Sequence, residues 1–370
     1  MNIALFHEVL PGGARRGANE FAKALRQKGH LVDLFLVDKT QNENEKSYYD
    51  HVFFYSFIPK VWTGKDWRAK LYKDTIELFR LYRLHKRIAQ EINNQKYDFA
   101  FIHPSQFTQA PFVLRFVKNP KLYYCQEPLR MLYEPLFEIP KNLDTIRNIY
   151  EMLTRFIKKT IDKHNVSCAS VILANSTFTQ ENIYAAYKRK STVVHMGVDK
   201  NRFKKLSLKK DIDVLFIGSK DPVDGYELFK QAISFMKKKP VIKYLLRGSG
   251  EWVSDDKKLN EYYCRAKIVI CFGYKEPFGL TPLETMAAGS IPFCLNEGGY
   301  KDSVRNRETG LLVSRNPNKI AEAMEWILSL PKEQQRIQDN LKKEIENNWT
   351  WEKSAKTLVS IYEKWKKNNS

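Results

Sequence analysis

No stretch of the 370-residue chain approaches about eighteen uninterrupted apolar residues, so the sequence offers no candidate spanning helix. Residues 1–6 open the chain with a short apolar run and no cationic segment before it. They read as a first strand, not as a signal peptide. Cysteine is scarce. Cys125, Cys168, Cys264, Cys271 and Cys294 are odd in number and show no CxxC spacing, and several lie in apolar runs. That excludes a disulfide framework and reads as reduced, mostly buried thiols of a cytoplasmic protein. The seven histidines are scattered with no HExxH and no Cys/His cluster, which argues against a zinc site. Gly (16) and Pro (15) show no repeat period, so collagen-like and low-complexity readings fall away. Neither GxGxxG nor GxxxxGK[ST] occurs, which leaves a dinucleotide oxidoreductase weakly supported. Acid is the minority charge, 42 Asp plus Glu against 62 Lys plus Arg, for a net +20 spread over both halves. Such a field favours a polyanion: nucleic acid, anionic lipid or a phosphorylated small molecule. No nucleic-acid reader motif accompanies it, so nucleic acid is not an expected partner.

What is present is a globular composition, 43% hydrophobic and 28% charged, at a length that favours two or three domains. Apolar runs alternate with helical periods. Residues 2–6 and 31–37 bracket a Gly12-Gly13 turn and a helix carrying Ala18, Phe21, Ala22 and Leu25. This is strand, glycine turn, helix, strand: the start of a parallel α/β sheet. Further strands are expected at 97–102, 121–124 and 170–174. The pattern restarts after Gly197, with strands at 213–217, 243–247, 267–272, 291–295 and 311–313, and helices at 226–236, 281–288 and 318–330. Two successive α/β units follow, with a boundary near 198–208 and ligands expected at the carboxyl ends of their strands.

The segment richest in chemistry runs Glu276-Pro277-Phe278-Gly279-Leu280-Thr281-Pro282-Leu283-Glu284. It follows a strand and opens a helix, with Pro282 in the first turn, where its missing N–H costs nothing. The backbone N–H groups of Phe278, Gly279 and Leu280, with the helix dipole, form an anion site. Two carboxylates around it suit a ligand with sugar hydroxyls at its ends and phosphates between. The plainer alternative is a pair of glutamates that only cap and solvate a helix.

Glu276 and Glu284 enclose seven residues, and this E-x7-E arrangement resembles the retaining glycosyltransferases of family 4. The resemblance runs nearly the length of the chain. Gly12-Gly13-Ala14-Arg15-Arg16 is similar to the family's GGAER turn, with Arg16 on its arginine. Tyr123-Tyr124-Cys125-Gln126-Glu127-Pro128 is similar to YYCHEP, Ala174-Asn175-Ser176-Thr177-Phe178 to ANS-x-F, and Gly197-Val198-Asp199 with Phe203 to GVD-x3-F. Gly298-Gly299, the run 310–313 and the Trp-rich end (Trp349, Trp351, Tyr362) fit as well. The resemblance implies an α/β, GT-B architecture. Two Rossmann-like domains, 1–197 and 198–345, would face a central cleft, and a last helix, 346–370, would return to the first domain. It implies retaining, metal-independent transfer from a nucleotide-diphosphate sugar, with no cofactor, to a glycan or lipid-linked acceptor in cell-surface polysaccharide or glycolipid synthesis. Glu276 would hold the donor sugar's hydroxyls and Glu284 the ribose. Gly12, Gly13, Arg16, Phe278, Gly279 and Leu280 would line the diphosphate.

Three departures stand out. The two positions where the family carries a phosphate-clamping Arg and Lys are Ser219 and Asp224, which leaves Lys220 and Arg247 as the nearby substitutes. The family histidine of YYCHEP is Gln126, which can hydrogen-bond a sugar but cannot act as a base. His103 and His7 are then the other cleft histidines, and His103 joins Glu276 and Gln126 as a catalytic candidate. The interval between Gly225 and Glu276 is short, so the second domain looks trimmed. These departures keep a second reading open: a GT-B-fold nucleotide- or sugar-binding module with lost or weakened catalysis. Finally, residues 60–90 carry nine Lys or Arg against three acids, with apolar residues near helical spacing and Trp62, Trp67, Tyr72 and Tyr82 interleaved. This is either a core-packed helix with a solvated basic face or a peripheral attachment to the anionic inner leaflet.

Overall fold

The computed structural model describes residues 1–38, 43–59, 67–134, 139, 144–250, 252–253 and 255–369, the side chains of 43–45 and 67–69 excepted. The chain divides into two units. The first comprises Met1–Asn175, Thr179–Val194 and Ala355–Ser370, and the second Ser176–Phe178 and His195–Ser354.

In the first unit seven strands form one parallel sheet: β1 (Asn2–Glu8), β2 (Leu31–Asp38), β3 (Val52–Ser56), β4 (Phe99–Ser105), β5 (Lys121–Cys125), β6 (Val171–Ala174) and β7 (Thr192–Val193). Their order is β3-β2-β1-β4-β5-β6-β7. Chain order reverses between β1 and β4, which places the topological switch point at the ends of His7–Glu8 and Ser105. Helix Gly13–Gln27 forms because Ala18, Phe21, Ala22 and Leu25 recur at helical spacing, and all four are fully buried. It stops at Gly29, whose φ of 81° suits a residue without Cβ. The strands are apolar on both faces, as helices on either side of a parallel sheet require.

The second unit has a five-stranded parallel sheet, in the order β12-β11-β10-β8-β9. Its strands are β8 (Ile212–Gly218), β9 (Ile242–Leu246), β10 (Ala266–Cys271), β11 (Ile291–Leu295) and β12 (Leu311–Val313). The unit boundaries fall at 194/195 and 354/355, not at the expected 197/198 and 345/346. The reason is local. Val198 N donates to the Trp349 carbonyl at 3.0 Å, and a Cβ on Gly197 would stand 2.4 Å from Trp351 N. Residues 349–354 are therefore tied to the second unit before helix Trp351–Asn369 passes into the first, where Tyr362 packs on Phe99 and donates to the Asp98 carbonyl.

All five cysteines are free thiols, and all but Cys168 are buried. Among the described residues no helix is long and apolar enough to cross a membrane. Of the basic stretch, Lys60, Trp62, Lys65 and Asp66 lie outside the described residues. The remainder is helical, ending in Leu78–Asn93, whose Leu81, Ile88 and Ile92 enter the core. Arg80 pairs with Glu77 and Arg87 with Glu91, while Arg83 and Lys86 are exposed.

Candidate functional site

In the second unit the loops after β8, β9 and β10 lie at the carboxyl edge of the sheet and are joined by backbone bonds. Arg247 N donates to the Gly218 carbonyl at 2.7 Å, and Tyr274 N to the Val223 carbonyl at 2.7 Å. Gly225 has a φ of 75°, and a Cβ there would lie 2.5 Å from the Phe272 carbonyl oxygen, so the β8 turn needs glycine to close against the β10 loop.

Glu276 is half-buried at the head of the β10 loop. Gly298-Gly299 braces that loop: Gly299 N donates to the Glu276 carbonyl at 2.8 Å, and a Cβ on Gly299 would collide with Pro277 O at 2.3 Å. The carboxylate end lies beside Gly273 and Tyr300. A Cβ on Gly273 would stand 3.0 Å from the Tyr300 hydroxyl oxygen and 3.2 Å from Glu276 Oε2. Burial, then the Glu276 charge, pushes the Tyr300 hydroxyl well above its ordinary range, so it remains a protonated donor beside the carboxylate. Gly279, φ 82°, is the N-cap of helix Leu280–Ala287 and carries no side-chain cap, which leaves first-turn N–H groups open to an anion. The Phe278 side chain points away from such a ligand. It is buried between His195 and Trp349, so only its backbone is available to a phosphate.

Glu284 occupies the second turn of the same helix and is buried. Its Oε2 accepts from the Tyr263 hydroxyl at 2.9 Å, which fixes the carboxylate's rotamer. The two glutamates of the segment thus sit in different surroundings, one half-exposed on a loop and one anchored inside a helix.

The cation positions are the largest departure. Asp224 Oδ2 accepts from Ser219 N at 2.7 Å and from Ser219 Oγ at 2.6 Å, closing the β8 turn on itself. Lys220 and Arg247 stand at the ends of the adjacent strands β8 and β9, both exposed, and Arg247 lies 5.3 Å over the Trp252 ring. Below the loop, Glu297 accepts from Lys275 N and pairs with Arg315. Burial would raise the Glu297 carboxyl, but these donors hold it below its usual range. Asp302 takes hydrogen bonds from Thr177 N, Thr177 Oγ1 and His195 Nε2, and they outweigh its burial in the same way.

In the first unit Gly12 (φ 154°) precedes helix Gly13–Gln27, and Gly12 and Gly13 are exposed. Arg16 is half-buried. Its neighbour Arg15 is buried and pairs with Asp38 at the end of β2. Gln126 follows β5 half-buried, with its Nε2 buried and unpartnered among the described residues. His103 is a correction. It lies fully buried among Phe21, Phe101 and Tyr124, and burial holds its pKa well below the ordinary value. A neutral imidazole enclosed by aromatic rings does not touch a reacting atom. His7 is buried likewise, with its pKa lowered to about 3 by burial and by Arg15.

The structure therefore groups Glu276, Phe278, Gly279, Leu280, Glu284, Lys220 and Arg247 in the second unit, and Gly12, Gly13, Arg16 and Gln126 in the first. Tyr300 and Tyr263 were missed by sequence reasoning. Tyr300 directly follows Gly298-Gly299, the one local signal that could have found it, whereas nothing near Tyr263 marks it. Among the described residues no cluster of three or more His, Cys, Asp or Glu could hold a metal ion.

The chain is similar to known proteins in sequence and in fold. Residues 11–202, more than half of the chain, match the sequence family Glycosyltransferase Family 4, and residues 251–344 match Glycosyl transferases group 1. An uncharacterised glycosyltransferase of Methanocaldococcus jannaschii is 25% identical over 235 residues, 53% of this chain and 60% of that protein. The chain spans less than two thirds of the length of the curated relatives it matches. Sucrose-phosphate synthase from Thermosynechococcus elongatus superposes with a TM-score of 0.72 at 16% identity, covering 98% of both chains. Anabaena HepE in complex with UDP and glucose superposes with a TM-score of 0.69 at 14% identity, covering 97% of this chain and 98% of that one. At these identities the likeness shows a shared fold.

Proposed function

The chain belongs to glycosyltransferase family 4 and has the GT-B fold, and from that premise we propose that it transfers a sugar from a nucleoside-diphosphate sugar to a glycan or lipid-linked hydroxyl acceptor, with retention at the anomeric carbon. The observation that carries the reading is the loop of 276–284. A half-exposed carboxylate with a protonated Tyr300 beside it stands next to an uncapped helix N-terminus, at the carboxyl edge of the sheet. A uridine diphosphate sugar is the donor to try first, because the structurally similar HepE binds UDP and glucose.

In this reading the diphosphate lies on the amides of Phe278, Gly279 and Leu280, with Lys220 and Arg247 supplying the positive charge and no metal or cofactor taking part. Glu284 binds the ribose, and within the first unit Gly12, Gly13 and Arg16 are the proposed phosphate contacts and Gln126 the proposed hydrogen-bond partner of a sugar hydroxyl. Glu276 holds the donor sugar's hydroxyls. The bond from the anomeric carbon to the phosphate oxygen breaks as the acceptor oxygen bonds to that carbon on the same face. The acceptor's proton passes to the departing diphosphate. Fixed dipoles aimed at the charge that develops on the leaving group lower the barrier. The product belongs to cell-surface polysaccharide or glycolipid synthesis, made in the cytoplasm at the inner leaflet.

Charged hydrogen bonds of the Glu276 kind contribute roughly 1.5–3 kcal/mol. Glu276→Gln should therefore lose at least about tenfold in kcat/KM while keeping the parent's melting temperature. A folded, fully active Glu276→Gln protein sinks the assignment. The Ser219–Asp224 pair favours one second reading, a binding module with lost catalysis. Nucleotide binding with neither transfer nor donor hydrolysis would select it.

A further inference from the structure

Helix Thr145–Ser167 leaves a stripe of large apolar side chains in water: Ile146, Ile149, Met152, Leu153, Phe156 and Ile157. Ile146 is 80% and Phe156 69% exposed. At about 100° per residue the six fall within an arc of roughly 140°, over about three turns. The opposite side is the one that packs, through Asp162, Asn165 and Val166. Single exposed apolar residues are ordinary, but a continuous stripe of this size on a soluble face marks an interaction surface.

The charges around the stripe indicate its occupant. The helix has two acids, and neither is available at the surface. Glu151 pairs with Lys70 and Arg155, and Asp162 is buried against the hydroxyls of Tyr133 and Tyr187. Lys159 and Lys163 follow the stripe toward the C-terminal end of the helix. The neighbouring helical stretch is tied alongside through Asp74, which accepts from Tyr150 and pairs with Lys158. It leaves Ile76 and Phe79 exposed as well. An apolar face bordered by cations, on a helix too polar to cross a membrane, fits an anionic bilayer surface, with the side chains among the acyl chains and the cations at the headgroups. A second copy of the chain fits worse, because it brings the same +20 to the contact.

We infer that helix Thr145–Ser167 lies in the plane of an anionic membrane, with the stripe from Ile146 to Ile157 inserted among the lipids. The inference is independent of the catalytic residues and deepens the reading of an acceptor held at the membrane.

The test is co-sedimentation of the full chain with vesicles of phosphatidylcholine alone and of phosphatidylcholine mixed with phosphatidylglycerol. The chain should pellet with the mixed vesicles only, and less so as salt rises. Ile149→Glu and Phe156→Glu should each lower the partition coefficient about tenfold, and so should Lys159→Gln combined with Lys163→Gln. Ile149, Phe156 and Lys163 are exposed, so melting temperatures of the two glutamate variants should stay at the parent value, and Lys163→Gln alone checks the double variant, because Lys159 is half-buried with its Nζ 5.0 Å over the Tyr133 ring. Glu276→Gln should bind vesicles like the parent, which separates failure of this surface from failure of the transferase reading. Equal binding to neutral vesicles, or stripe variants that bind like the parent, overturns the inference. So does a parent that ignores vesicles but forms a dimer that Phe156→Glu dissociates, since the stripe is then a self-association face.

Discussion

Asp224 gives the sharpest test of how this chain handles a diphosphate. Its carboxylate accepts two hydrogen bonds from Ser219, at 2.7 and 2.6 Å, where the family resemblance leads one to expect cations. Asp224→Asn keeps an oxygen that can accept from Ser219 and removes the charge. Two effects then oppose each other. Hydrogen bonds to a charged acceptor contribute roughly 1.5–3 kcal/mol and neutral ones roughly 0.5–1.5, so over the two bonds the fold should lose about 2–3 kcal/mol. The ligand gains. Like charges about 8 Å apart repel by about 2 kcal/mol at an effective dielectric near 20, and physiological salt cuts this to about 1 kcal/mol. A nucleoside diphosphate should therefore bind about fivefold more tightly to Asp224→Asn, although the protein melts earlier. Calorimetric titration with a nucleoside diphosphate at two salt concentrations reads both parts, since the gain should shrink as salt rises. Binding that is unchanged or weaker at low salt would show that Asp224 does not face the phosphates, and the proposed donor pose would fall with it.

Other consequences follow from the same geometry. Lys220→Ala and Arg247→Ala should each weaken nucleoside-diphosphate binding by about 1.5–3 kcal/mol, and parent-like affinity in both would place the cationic clamp elsewhere. Asp302→Ala removes the shared acceptor of Thr177 and His195 and should cost roughly 2–4 kcal/mol in urea unfolding; a loss below about 0.5 kcal/mol would show those bonds to be solvent-replaceable. Burial holds His7 at about 3 and His103 well below the ordinary value, so both are neutral when folded and take up protons on unfolding below about pH 6.5. Their contribution is complete above that pH and is lost as pH falls, whereas Asp162, raised to about 6 by burial, works in the opposite sense. His7→Leu should flatten the pH dependence of the urea midpoint between pH 6.5 and 5 by about one proton, or roughly 1.4 kcal/mol per pH unit, and an unchanged slope would show that His7 titrates normally.

The strands were legible because a parallel sheet covered on both faces demands continuous apolar runs, and such runs stand out from a chain with 28% charge. β3 escaped because Val-Phe-Phe-Tyr-Ser is short, lacks flanking glycine and ends the sheet, where Val52, Phe53 and Phe54 are only half-buried. Helix Thr145–Ser167 was hidden for the opposite reason. Its apolar period faces water, and a pattern that normally signals a core position carried no hint of being left uncovered. The last helix was placed by its tryptophans, yet the hold of 349–351 on residues 197 and 198 moved the crossing point to Ser354.

The site was legible where function constrains the backbone and illegible where it depends on what surrounds a side chain. Gly279 and Gly298-Gly299 announce themselves because the loop they shape admits no Cβ. His103 looked like any strand-end histidine, and only the packing of Phe21, Phe101 and Tyr124 around it removes it from the chemistry. Ser219 and Asp224 looked like two separate losses of a cation. In the folded chain they are one replacement. A lone aspartate there would leave an unpaired charge at the mouth of β8, and a lone serine would leave the turn unclosed, but together each satisfies the other. Lys220 and Arg247, to which the proposed reading assigns the positive charge, are exposed and project from strand ends rather than from the turn itself. A clamp built this way must order two long side chains each time a ligand binds, at a cost of about 0.5–1.5 kcal/mol apiece. On the proposed reading, this chain holds its donor more loosely than a preorganised turn would, and the amides at Gly279 and Leu280 carry the larger share of phosphate binding.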